Sequence, residues 1–131
     1  MTKVLPLASA RWAPDFLIDY FMAPPATPNS VLRTLHKLVR QTPAAILRAR
    51  FLAVLRTDVR VELRTVSCPI LVLQAGADRL VPRAAGRTIV AERPDATLSL
   101  VNAPHLMFQM APEECALVIG GFLAAKRQIY P

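Results

Sequence analysis

Apolar residues follow two different rhythms along this chain, and the rhythm changes near residue 65. Before it they recur three and four apart: Val31, Leu32, Leu35, Leu38 and Val39, then Leu47, Phe51, Val54 and Leu55. That spacing lines one face of a helix. Proline punctuates the segment. A first helix is expected over Asp15–Met22, stopped by the Ala-Pro-Pro at 23–25. Asn29 or Ser30 can open a second, because a short polar side chain there accepts a hydrogen bond from an orphan N–H of the first turn. Thr42 and Pro43 open a third, with proline at the first helical position, where its missing N–H costs nothing.

Beyond residue 65 the pattern is strand and helix in alternation. Ile70–Gln74 reads as a strand opened by the continuous apolar run Ile70–Leu73, the signature of a strand buried on both faces in a parallel sheet. Pro69 begins it, where no ladder hydrogen bond is lost. Arg83–Glu92 reads as a crossover helix, Thr97–Asn102 as a second strand and Pro112–Lys126 as a closing helix. Glu113 and Glu114 in that helix's first turn, and Lys126 and Arg127 near its end, complement its dipole. A strand, a helix and a strand at this spacing imply a parallel pair. The expected class is α/β: a helical segment over residues 1–65, then a β-α-β-α unit over 66–131.

The parallel pairing gives two residues a meaning that neither has alone. Asp78 lies just past the first strand and His105 just past the second. In open α/β sheets chemistry gathers at the carboxyl ends of the strands. A carboxylate there can hold one imidazole nitrogen protonated and oriented, and the other nitrogen is then free to take a proton from a nucleophile. Taken singly, Asp78 is equally a turn or helix-capping residue, and His105 a loop residue. The other histidine, His36, stands among Arg33, Lys37 and Arg40 and is read as surface.

The stretch from Asp58 through Pro69, Gly76, Asp78, Val81 and Pro82, followed by His105, Pro112 and Glu113, resembles the later part of the α/β-hydrolase superfamily. The likeness runs over about residues 55–125 and is nearest the esterase branch that includes the pimeloyl-carrier-protein methyl ester esterases. It implies that Asp78 is the acid and His105 the base of a catalytic triad, that residues 1–65 are the later part of a helical lid, and that the substrate is a small ester. Pro104 stands where the family often has glycine. The four serines Ser9, Ser30, Ser67 and Ser99 have no glycine within two positions, so none sits on the Gly-x-Ser-x-Gly turn that carries the family's nucleophile. Cys68 precedes its strand, at the end of the sheet away from Asp78. The expectation is therefore a truncated or split hydrolase, inactive alone, that needs a nucleophile and an oxyanion loop from elsewhere.

Composition narrows the alternatives. Among 131 residues, 53% are hydrophobic and mean hydropathy is +0.35, so a core can form and apolar surface can remain exposed. The net charge is +7, and eight basic residues from Arg33 to Arg64 face only Asp58 and Glu62. Without stacking aromatics among them they read first as polar helix faces, and as a nucleic-acid surface last. Cys68 and Cys115 have neither metal-ligand nor CxxC spacing, so packing thiols in a reducing compartment are expected, with no metal and no cofactor. The N-terminal apolar piece, broken by Pro6, is too short for a signal peptide. The longest apolar run, Ala116–Ala125, is too short to cross a membrane. A cytoplasmic location follows from these readings. A strand as apolar as Ile70–Leu73 with one neighbour also predicts association, with a second copy or with a complementary chain.

Overall fold

The computed structural model describes residues 15–23 and 26–127. Four helices come first: α1 (Asp15–Met22), α2 (Asn29–Gln41), α3 (Ala44–Arg56) and α4 (Arg60–Thr65). Then follow β1 (Leu71–Ala75), α5 (Ala84–Glu92), β2 (Thr97–Val101), the short α6 (Met107–Met110) and α7 (Pro112–Arg127). The strands pair in parallel, Leu71 beside Thr97 through Ala75 beside Val101. Each expected element is present, with ends shifted by two residues at most; α4 and α6 have no counterpart among the expected elements. Pro24 and Pro25 lie outside the described residues, as does the N-terminal stretch weighed as a leader.

Side chains alternate across the two strands, so each face of the sheet takes its own helix. Val101 is fully buried and packs with Ala103 and with Cys115 of α7; Leu73, Met107 and Met110 close around them. Gln74 and Leu98 point the other way, onto α5. There Gly86 comes so close that a Cβ on it would strike the amide oxygen of Gln74 and stand 3.0 Å from a Leu98 methyl. The buried Gln74 side chain in turn donates to the Pro82 carbonyl at 3.1 Å. Arg93 ties the entrances of the two strands together. It is buried, grips Asp95 through two nitrogens at 2.6 and 2.7 Å, and donates to the carbonyls of Leu63 and Val66 ahead of β1.

Several local expectations need correction. No side chain caps α2 or α3: Pro28 and Pro43 occupy the cap positions, one residue before the helices start. Their extended φ and ψ set the chain's entry in place of a polar cap. Leu47, Phe51, Val54 and Leu55 do form one stripe of α3, but its later part faces outward, with Val54 75% exposed, while Leu47 is half-buried. No described element packs closely against that stripe, and helical spacing alone cannot say whether a partner is present. Cys68 is exposed and is not a packing residue, whereas Cys115 is buried. His36 is half-buried rather than surface: its Nε2 lies 2.7 Å from Asp19 on α1. The neighbouring Arg40–Asp15 pair, also 2.7 Å, joins the same two helices. Arg60 and Arg64 are likewise held, by Asp58 and Glu92.

Candidate active site

The parallel ladder does not stop where the strands do. Gly76 N–H donates to Val101 O at 2.7 Å and Ala77 N–H to Ala103 O at 3.0 Å, so the two departing loops stay zipped side by side. The Arg83 guanidinium closes back onto the Gly76 carbonyl and pins the turn from outside. At Gly76 a Cβ would meet Val101 O at 3.2 Å, a tight fit that favours glycine. These bonds place residue 78 and residue 105 on one rim of the sheet.

There the Asp78 carboxylate is fixed from two directions. Oδ1 accepts the N–H groups of Leu80 and Val81 at 2.8 and 2.9 Å, a turn that aims the carboxylate inward. Oδ2 lies 2.9 Å from Nδ1 of His105. The Asp78 side chain is 8% exposed and that of His105 26%. Burial pushes the Asp78 carboxyl upward. The bonds from Val81, His105 and Leu80 outweigh it and hold the group below the usual carboxylate range. Asp78 therefore remains an anion, and an anion at Nδ1 keeps the proton on that nitrogen. Nε2 is left with no hydrogen-bond partner among the described residues.

The pair opens on a mostly apolar groove of about 230 Å³. Leu73 and Ala75 of β1, Val81, Ile89 of α5 and Met107 line it beside Asp78 and His105. Arg79, next to Asp78, reaches outward over the Tyr20 ring at 4.5 Å and so ties α1 to this rim. Both residues singled out in the sequence are thus brought together. Arg83, Arg79 and the Leu80 and Val81 amides escaped notice; of these, the Gly-Ala-Asp turn ahead of Val-Pro was the one available sign. Among the described residues no group of three His, Cys, Asp or Glu side chains could hold a metal ion, and no helix is long and apolar enough to cross a membrane.

No protein-family model matches the chain. A curated protein from Caulobacter sp. (strain K31), described as "Putative carbamate hydrolase RutD", is 33% identical over 82 residues, which are 62% of this chain and 31% of that protein. A solved structure of a hydrolase from Pseudomonas aeruginosa PA01 superposes with a TM-score of 0.75 at 24% identity, over 89% of this chain and 47% of that one. The chain therefore spans about a third of the curated relative's length and about half of the solved one. It is related to the α/β-hydrolases and has a partial α/β fold of their kind.

Proposed function

We propose that this chain carries the acid and the base of a serine-hydrolase-type acyl transfer, with His105 as general base and Asp78 as its orienting partner. The observation that supports this reading most is the 2.9 Å contact between Oδ2 of Asp78 and Nδ1 of His105, with Nε2 turned free beside an apolar groove. In the reaction Nε2 takes a proton from a nucleophile as it attacks an acyl carbonyl, then returns it to the leaving group. The ionised Asp78 stabilises the imidazolium that forms in between.

The nucleophile and the oxyanion donors are supplied by polypeptide outside this sequence, since none of the four serines stands on a glycine-flanked turn. Residues 1–65 serve as part of a lid, with α1 tethered at the rim by Arg79. The substrate is a small carboxylic ester; the activity printed for the curated relative makes a carbamate the second acyl class to assay.

The purified chain alone is expected to leave p-nitrophenyl acetate and aryl carbamates unhydrolysed. Turnover that survives purification and disappears in His105→Ala would place the nucleophile within these residues and overturn that assignment.

A further inference from the structure

Gln74 is the polar exception in β1. Leu71, Val72 and Leu73 precede it and Ala75 follows, yet its side chain is buried against α5. Burying an amide costs free energy unless its groups are hydrogen-bonded, and an apolar residue there would pack without that requirement. The neighbouring helix leaves room for it. Gly86 stands where a Cβ would strike the amide oxygen, so a side chain at that position of α5 would displace the amide. The bond that Gln74 makes shows what the amide holds: Nε2 donates to the Pro82 carbonyl at 3.1 Å.

Pro82 closes the turn that carries Asp78. Oδ1 of Asp78 accepts the Leu80 and Val81 N–H groups at 2.8 and 2.9 Å, so the carboxylate sits wherever residues 80 and 81 sit. Those residues need an anchor of their own. The Ala85 N–H also donates to Pro82 O, at 2.9 Å, but that bond is local to the entrance of α5 and moves with it. Arg79 reaches Tyr20 O on α1 at 3.4 Å, a long contact between exposed groups. Among the described residues, the Gln74 bond is the one hydrogen bond that ties residues 79–82 to a strand. At the other end of the turn, Gly76 is zipped to Val101 and gripped by Arg83. The acid turn is thus fixed at its start by the ladder and at its end by Gln74.

We infer that Gln74 is a positioning residue for the Asp78–His105 pair: through Pro82 and the Val81 amide it sets the place of Oδ1, and so the aim of Oδ2 at Nδ1. It touches neither the substrate nor the reacting atoms. The role bears on catalysis where His105 is the general base, as proposed above. It is read in the state of the histidine and needs no turnover.

Gln74→Met keeps the volume and removes the donor. Pro82 O retains the Ala85 N–H, so the variant should fold with a thermal midpoint close to that of the unmutated chain. The His105 Nδ1 proton should exchange with solvent roughly tenfold faster and move upfield, because a displaced Oδ2 holds it less well. Asp95→Asn breaks the Arg93 fork at the opposite end of the strands and should leave that proton as it is, although it too costs stability. An unchanged His105 proton in folded Gln74→Met, or an equal change in Asp95→Asn, would overturn the assignment. Should Gln74→Met not fold, Gly86→Ala presses on the same amide from α5 and must move the His105 proton; an unmoved proton overturns the assignment again. A proton on Nε2 in the unmutated chain would overturn the general-base reading as well, whereas a change missing only from the variants counts against Gln74 alone.

Discussion

At the scale of single residues, the acid carries two loads. Asp78 holds the Leu80 and Val81 amides as well as His105. Asp78→Ala is expected to lower stability by about 0.5–1.5 kcal/mol for each bond lost, read from the urea midpoint, because it removes the common acceptor of the Leu80 and Val81 amides and of His105. Its carboxyl lies below its ordinary value of 3.8 when folded, so its contribution is present above that pH and is lost as pH falls further. Asp95 behaves in the same way: the Arg93 fork lowers it from 3.8 to about 2. Stability should therefore decline between pH 3.8 and about 2, and Asp95→Asn should make that decline shallower in acid titrations followed by circular dichroism. An equally steep decline in the variant would show that the fork is not formed. The meeting of Asp78 and His105 was legible because a strand end, a crossover and a second strand end fix their neighbourhood. Arg93 was not, since a buried arginine between Glu92 and Pro94 has no local signature: its partners lie in the segment before β1 and in the turn before β2.

At the scale of elements, the closest approach is α5 on the sheet. Gly86→Ala drives a methyl group into the Gln74 amide and against Leu98, and should destabilise by roughly 1–3 kcal/mol. Gly120→Ala offers the contrast. Its Cβ would meet nothing within 4 Å, so it should stabilise α7 by about 0.5–1 kcal/mol through helix propensity alone. Thermal midpoints of the two variants should move in opposite directions; a drop in both would mean that α7 packs against something at Gly120. Periodicity located the helices and strands but not their surroundings. The α3 stripe of Leu47, Phe51, Val54 and Leu55 carries the spacing of a buried face, yet Val54 and Leu55 stand in solvent while Leu47 is half-buried. The same spacing on α2 does bury Leu35. Spacing records that a face is apolar, whereas burial depends on what lies across from it.

At the scale of the whole molecule, the fold brings two distant loops to one place by backbone pairing alone. The zipped bonds from Gly76 to Val101 and from Ala77 to Ala103 set the rim, and the side chains follow. Large apolar side chains stand exposed on α1, α3 and α7, Phe16, Val54, Leu117 and Leu123 among them. The molecule is accordingly expected to bind a hydrophobic dye while still unfolding cooperatively. Non-cooperative unfolding would mean that the two-stranded sheet does not hold the rim together. Above all, Asp78 dictates which nitrogen of His105 carries the proton. Long-range proton–nitrogen correlation at neutral pH reads this directly, with His36 as an internal reference. Neutral His105 should carry its proton on Nδ1, and Asp78→Asn should shift His105 toward the Nε2–H tautomer while His36 stays unchanged. A proton on Nε2 in the unmutated chain, or a tautomer indifferent to Asp78, would contradict it.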